Sequence, residues 1–355
     1  MTVMPLAKPE QPGLSRVDHP AAWTAQSLMA QTDQWIYHLS TDDIAELDAA
    51  LQQIRARGLQ VPNFGKDEFP LPKLAAKLAS YKDSLDFGLG ILYIKGFPVS
   101  RYTKDQASAI FWGIGCHIGK SWVQNNRGHL LGDIRDEGRS LDDPMARGYQ
   151  TTADLDMHTD GADMVALLCL KQAPEGGENQ LSSAVAAYNK LLESNPQALQ
   201  HLLETEYCID WRGEEPAGEE PFHRARVLCP VDGAVACLNL IGYIRSAQRF
   251  PQAPRLTEQD LAAFATFEKA IWDEELVVRV RQEPGDMLFL NNHYHLHARS
   301  TFRDAEESSE KRHLRRLWLE SPAWEGKRPA SMENLLRVSN TWKHPDSSVQ
   351  MWDHM

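Results

Sequence analysis

Two side chains with metal affinity stand two positions apart in His158-Thr159-Asp160. In an extended segment such a pair lies on one side, so both can face a single ion. A second histidine from elsewhere would complete one face of the coordination sphere, and the chain has a His-rich stretch at His293-Tyr294-His295-Leu296-His297. Two neutral nitrogens and one carboxylate, with the remaining positions open, suit non-haem iron(II). The open positions could take a bidentate 2-oxo acid and then O2. Downstream, Arg312 and Arg316 offer planar forks for a carboxylate.

Each signal has a plainer reading. An isolated HxD often marks a loop or a cap. Period two places His293, His295 and His297 on one face, so three candidates compete for one ligand position and spacing alone does not choose. Wall or surface roles account for the others. The basic run around Lys311 to Arg316 could end a solvated loop. Leu314, Leu317, Trp318 and Leu319 surround it, however, which predicts a core strand whose arginines must be paired.

The elements that must position these residues read as follows. Asp160 precedes Gly161 and an apolar run, placing the HxD at a strand mouth. Pro284-Gly285-Asp286 is a turn, Met287 to Leu290 a buried strand, and Asn291-Asn292 a second turn into the histidines. Further strands are expected at 163–170, 207–212, 226–229, 234–242, 276–282, 285–291, 293–301 and 313–320, with helices near 183–193, 196–205 and 257–272. The first 85 or so residues read as helical. Ser40-Thr41 followed by Asp43 resembles a capping box, after which Ile44, Leu47, Leu51 and Ile54 recur at helical spacing up to Gly58. A short strand, Ile91 to Phe97, and a helix from Thr103 follow. Many short strands with helices at the start and in one insertion predict a mainly β protein with helical cover, a double-sheet jelly roll. A doubly wound parallel sheet lacks support, because Pro174-Glu175-Gly176-Gly177 has neither phosphate-loop nor dinucleotide spacing.

The chain has 355 residues, with 37 Lys+Arg against 49 Asp+Glu and a net charge of −12. That balance argues against nucleic-acid or anionic-membrane surfaces and favours small-molecule metabolism. The longest apolar runs, such as Val165 to Leu170, are too short to span a membrane, and the start MTVMPLAKPEQPG has no signal-peptide pattern, so a cytoplasmic location is expected. Five scattered cysteines without a CxxC pair read as reduced and mostly buried. Oligomeric state is open, and a homo-oligomer is compatible with the sequence.

In order along the chain, HTD at 158–160, GGEN at 176–179, PGDMLFLNN at 284–292, HARSTF at 297–302 and RHLRRLWL at 312–319 resemble the motifs of the taurine dioxygenase-like (TauD/TfdA) family of iron(II)- and 2-oxoglutarate-dependent oxygenases. The likeness covers roughly residues 90 to 320. It implies a double-stranded β-helix core and makes His158, Asp160 and His297 the iron ligands. It places Arg312 on the far carboxylate of 2-oxoglutarate and Arg316 on an anionic group of the substrate. At position 179 the family usually has Thr or Ser; Asn179 can also donate there, or Ser182 or Ser183 can take over the role. The stretch Trp122 to Gly128 lies where relatives build the substrate wall, with Gln124 and Asn125 as polar contacts. The implied cofactors are Fe(2+), 2-oxoglutarate and O2, and the implied activity is oxidation of a C–H bond in a small polar substrate, hydroxylation by default. The expected layout is a helical elaboration over 1–85, an oxygenase core over 86–325 and an extension over 326–355. Two rivals use the same residues: a non-catalytic jelly roll binding a small acid or metal, and a zinc hydrolase, which has no need of Arg312.

Overall fold

The computed structural model describes residues 14–342, apart from 141, 142, 144 and 232. Residues 1–13 of the expected N-terminal elaboration and 343–355 of the expected C-terminal extension lie outside them. Two β-sheets form the core of a jelly roll. The larger runs in the order Ile36–His38, Ile91–Lys95, Met287–Asn291, Met164–Lys171, His313–Glu320 and Lys120–Ser121, with Leu131–Ile134 also paired to His313–Glu320. The smaller runs Val278–Val280, Asn179–Ser183, His295–Arg299, Leu155–His158.

Alternation along the strands of the large sheet feeds two apolar cores. Leu92, Ile94, Met287, Phe289 and Leu168 pack with Leu47, Leu78 and Leu85 of the N-terminal helices Thr41–Ala56 and Leu74–Phe87, and with Phe111 and Ile114 of Lys104–Ile118. Ile91, Tyr93, Val165, Leu288 and Leu290 belong to a second cluster. It joins Met157 and Leu181 of the small sheet to Val185, Phe264 and Phe267 of the inserted helices Ala184–Ser194 and Glu258–Ile271. The large sheet is therefore buried on both faces, which is why its strands read as nearly continuous apolar runs.

The N-terminal region is not wholly helical. Ile36–His38 adds a parallel edge strand beside Ile91–Lys95, a pairing made by long-range burial rather than local propensity. The strand expected over 234–242 stops at Cys237, because the Asn239 side chain turns to donate to the Met157 carbonyl (2.7 Å) and a helix runs Ile241–Ala247. The strand expected at 226–229 is two, Phe222–Ala225 and Leu228–Val231, each in its own hairpin ribbon. Helix Ala330–Thr341 buries Met332 and Val338 in the second core cluster. Among the described residues no helix is long and apolar enough to cross a membrane.

Candidate active site

Strand Leu155–His158 pairs antiparallel with His295–Arg299, with His158 directly opposite His297. Their ring centroids are 4.3 Å apart. Beyond the strand, Thr159 is clasped to Asn239 by two bonds, its N–H donating to the Asn239 carbonyl (3.2 Å) and its hydroxyl accepting the Asn239 N–H (3.0 Å). That clasp turns Asp160 back toward the two rings, so one ligand atom from each of the three residues lies within 4.8 Å of the others.

The protonation states suit a cation. His158 Nδ1 faces the Asp156 carbonyl at 2.8 Å, which makes it the N–H and leaves the Nε2 lone pair free. Burial, reinforced by the charge of His158, lowers His297 to about 3, so this ring is a neutral ligand at pH 7. Burial alone would raise the Asp160 carboxyl, but Arg316, the two histidines and the Trp318 N–H (2.8 Å) hold it below the usual carboxylate range. Two imidazoles and one carboxylate on a cavity wall fit a divalent iron with positions left for other ligands.

The other two histidines of the stretch are structural. His295 accepts a hydrogen bond from Trp23 Nε1 (3.0 Å), sits near the Asn291 carbonyl (3.1 Å), and is lowered to about 3 by burial. His293 lies before the strand, stacks on Trp324 at 3.7 Å and faces the Asp163 carboxylate (3.0 Å). Asp163 also receives Arg328 and the Ser321 N–H.

One end of the cavity is cationic. Arg312, just before strand His313–Glu320, and Leu314, Arg316 and Trp318, which alternate along one face of it, all line the cavity. Arg312 is 1% exposed. Its Nε reaches Gln172 (3.2 Å) and its Nη2 the Gly177 carbonyl (3.3 Å), while Nη1 has no partner among the described residues. Arg299, two positions beyond His297 on the same face, is 4% exposed; Nη2 donates to the carbonyls of Thr151 (2.7 Å) and Ala153 (2.6 Å), and Nε and Nη1 are unpartnered among the described residues. Burial lowers Arg312 to about 10, and burial with the charge of Arg312 lowers Arg299 to about 9. Both remain charged at neutral pH. Orphaned buried N–H groups of this kind fit an anionic ligand.

Asn179 lies directly across from Arg299 and lines the same cavity. Its Nδ2 donates to Gln282 Oε1 (2.7 Å). The opposite amide assignment is excluded by Gln282, whose Nε2 already donates to the carbonyls of Leu167 (3.1 Å) and Asp286 (3.2 Å). Neither serine substitutes for it. Ser182 alternates to the other face of the strand, and the Ser183 hydroxyl donates to the Ala21 carbonyl while capping helix Ala184–Ser194.

Arg316 bridges the metal triad and the loop before it. Its Nε donates to Gln124 Oε1 (2.8 Å), its Nη1 lies 3.3 Å from Asp160 Oδ1, and its guanidinium sits 4.8 Å from the Trp318 ring. Gln124 lines the cavity, but its amide is spent inside the protein, on the carbonyls of Leu130 and Arg316 (3.0 Å each). Asn125 is not part of the wall: its side chain ties the 125–129 turn, accepting the N–H groups of Arg127 and His129 and contacting the His129 ring at 3.1 Å. The pattern of a polar loop does not distinguish a side chain that faces a ligand from one that closes its own turn.

The cavity has a volume of about 410 Å³. Its outer wall was not legible in the sequence. There Trp211 meets His223 at 4.5 Å, Arg147 pairs with a partly buried Glu214, and the Tyr243 ring lies beneath Arg147 (5.8 Å) and Arg212 (5.1 Å). Arg212 holds a left-handed φ of 54° and sends its guanidinium to the carbonyls of Ala146 and Asp143 (3.0 and 3.1 Å). Leu335 and Trp342 add the C-terminal helix. Only Trp318 carried a signal, its period-two spacing from Arg316.

Residues 55–318 match the family described as taurine catabolism dioxygenase TauD, TfdA. The chain belongs to the TauD/TfdA family. Its relatives within it include FR-33289 synthase of Streptomyces rubellomurinus, 33% identical over 289 residues, covering 81% of this chain and 85% of that protein. Another is the taurine hydroxylase-like protein SAT17 of Stachybotrys chartarum, 31% identical over 310 residues, or 83% and 77% of the two chains. Among solved structures the fold is similar to asparagine oxygenase in complex with Fe(II), 3-hydroxyasparagine and succinate, with a TM-score of 0.63 and 17% identity over 84% of this chain and 98% of that one. It is also similar to the non-haem iron oxygenase OrfP in complex with Fe and α-ketoglutaric acid, with a TM-score of 0.59 and 16% identity over 81% and 93%. This TauD/TfdA member is an iron(II)- and 2-oxoglutarate-dependent oxygenase.

Proposed function

We propose that the enzyme hydroxylates a C–H bond of a small polar substrate that is anionic or amino-acid-like, with His158, Asp160 and His297 holding the iron. The observation that carries this reading is the placement of the donor triad on the wall of a cavity whose one end holds the unpaired cations of Arg299 and Arg312. When bound, iron(II) with 2-oxoglutarate and O2 supplies the oxidation: the 2-oxo acid becomes succinate and CO2, and a substrate C–H becomes C–OH.

The chain's own residues do the positioning. The Asp156 carbonyl fixes the His158 tautomer, and the Thr159–Asn239 clasp aims Asp160. Arg312 anchors the far carboxylate of 2-oxoglutarate through its free Nη1. Arg316 receives an anionic group of the substrate, and Gln124 acts by orienting that guanidinium. Trp211, Tyr243, Leu335 and Trp342 narrow the outer cavity and exclude water around the reacting bond. Support for an amino-acid-like substrate comes from the ligands of the neighbours, hydroxyasparagine in asparagine oxygenase and L-Arg in OrfP.

A zinc hydrolase on the same triad would leave the cationic end without a task, and a passive binder would consume no 2-oxoglutarate. The decisive experiment is anaerobic reconstitution with iron(II) and 2-oxoglutarate, followed by O2 and a panel of amino acids, sulfonates and phosphonates scored by succinate release and product mass. Substrate-stimulated succinate release with a mass gain of one oxygen is expected. Metal-dependent hydrolysis without succinate would overturn the reading.

A further inference from the structure

We propose that Arg299 is a second arm on the far carboxylate of 2-oxoglutarate, sharing it with Arg312, and that Asn179 supports the wall of this subsite instead of carrying the anion. The inference rests on the assignment of the cationic cavity end to 2-oxoglutarate.

Strand geometry makes the placement unavoidable. Arg299 follows His297 by two positions, so it shares the metal-facing side of its strand, and both side chains line the cavity. Arg299 and Arg312 lie against the same ring, 4.8 and 5.2 Å from the centre of Phe302. Among the described residues neither guanidinium forms an ion pair. Two buried like charges packed on one ring disfavour each other, and an anion bound between them would relieve that cost.

Counting donors shows what each side chain can still offer an anion. A carboxylate offers about four lone-pair sites. Arg312 gives its Nε–H to Gln172 and one Nη2–H to Gly177, which leaves both N–H groups of Nη1 and one of Nη2. Asn179 has one N–H engaged by Gln282, and Gln282 is itself locked by two carbonyls. Arg299 has Nε and Nη1 free, so it offers as many unspent N–H groups as Arg312 at this end of the cavity. Its remaining nitrogen holds Thr151 and Ala153, just ahead of strand Leu155–His158, so the same guanidinium contacts the segment that leads to the metal.

A purely structural role, pinning residues 151–153, is the alternative, and charge discrimination separates the two. The test is calorimetric titration of the iron(II)-loaded protein under nitrogen, with 2-oxoglutarate and with its 5-amide, whose far end is neutral. The parent should prefer the acid by about a hundredfold or more. Arg299→Met should shrink that preference at least about tenfold. Arg299→Lys should retain most of it through the remaining charge. Arg299→Gln, which can still donate to the Thr151 carbonyl, should behave as the Met variant does and serves if that variant fails to fold. Equal weakening of both ligands, with the ratio unchanged, would overturn the proposal and leave Arg299 a structural residue. Arg312→Met is the reference: if it too leaves the ratio intact, the assignment of this cavity end to 2-oxoglutarate is itself wrong.

Discussion

At the scale of single residues, three histidines that alternate on one segment separate by what their nitrogens face. His297 looks across to His158 and Asp160, while His295 is saturated by Trp23 and lies beside the Asn291 carbonyl. Replacing His158, Asp160 or His297 with Ala should abolish iron(II) binding in an anaerobic titration, whereas His295→Ala should bind iron and lose stability by about 2–4 kcal/mol through its cavity and the orphaned Trp23 N–H. Iron loss in His295→Ala with retention in His297→Ala would reverse the assignment. Arg312→Ala should raise the 2-oxoglutarate requirement a few hundredfold, the equivalent of about 3–5 kcal/mol for removing one partner of a buried charge pair, with iron affinity little changed. Unaltered 2-oxoglutarate dependence would move the anchor elsewhere on the cavity wall.

Elements hold these side chains through caps and close approaches. The box at the start of helix Thr41–Ala56 forms as the Ser-x-x-Asp spacing predicts: Asp43 accepts the Ser40 N–H (2.8 Å) and hydroxyl (2.6 Å) and adds Tyr37 and Lys77 (2.9 Å). Burial works against the charge, yet these partners hold the carboxyl near 2, below its unfolded value. The stabilisation, about 2 kcal/mol, is therefore present above about pH 4 and is lost as the pH falls toward 2. Asp43→Asn should melt lower than the parent at pH 7, and the gap should close on acidification; a pH-independent gap would refute the linkage. Gly90 is a second case. Its φ is +73°, and a Cβ there would stand 2.3 Å from His295 Cε1. Gly90→Ala should cost about 2–4 kcal/mol by chemical denaturation and displace the His295 ring, because the colliding atoms belong to a buried ring held from both sides.

At the scale of the molecule, one buried ion pair fastens the C-terminal part to the core behind the metal strand. Arg328 meets both oxygens of Asp163 (2.8 and 2.7 Å), and the same carboxylate faces His293 and receives the Ser321 N–H (2.9 Å). Helix Ala330–Thr341 follows directly and brings Leu335 to the cavity. Arg328→Ala leaves the buried Asp163 carboxylate with only His293 and the Ser321 N–H as partners, so it should lower stability by about 3–5 kcal/mol and weaken substrate binding more than iron binding. A variant with parental melting and turnover would show that the helix is held by its apolar face alone.

The sequence by itself determined the local parts: the capping box at Ser40, the apolar strands around 164–171 and 287–291, and the order of motifs from HTD to RHLRRLWL. Each is set by neighbours in the chain, through period and turn chemistry. The edge strand Ile36–His38 and the helix Ile241–Ala247 escaped it, because the first exists only by pairing with Ile91–Lys95 and the second follows where Asn239 turns to the Met157 carbonyl. The site divides in the same way. Arg312 and Arg316 were readable from spacing, but which donors of each arginine remain free depends on Gln172, Gly177, Gln124 and Asp160, all remote in sequence. Only the tertiary structure decided that Asn125 serves its own turn and that Arg299 is buried with no ion pair among the described residues, since desolvation and hydrogen-bond satisfaction are properties of the packed surroundings.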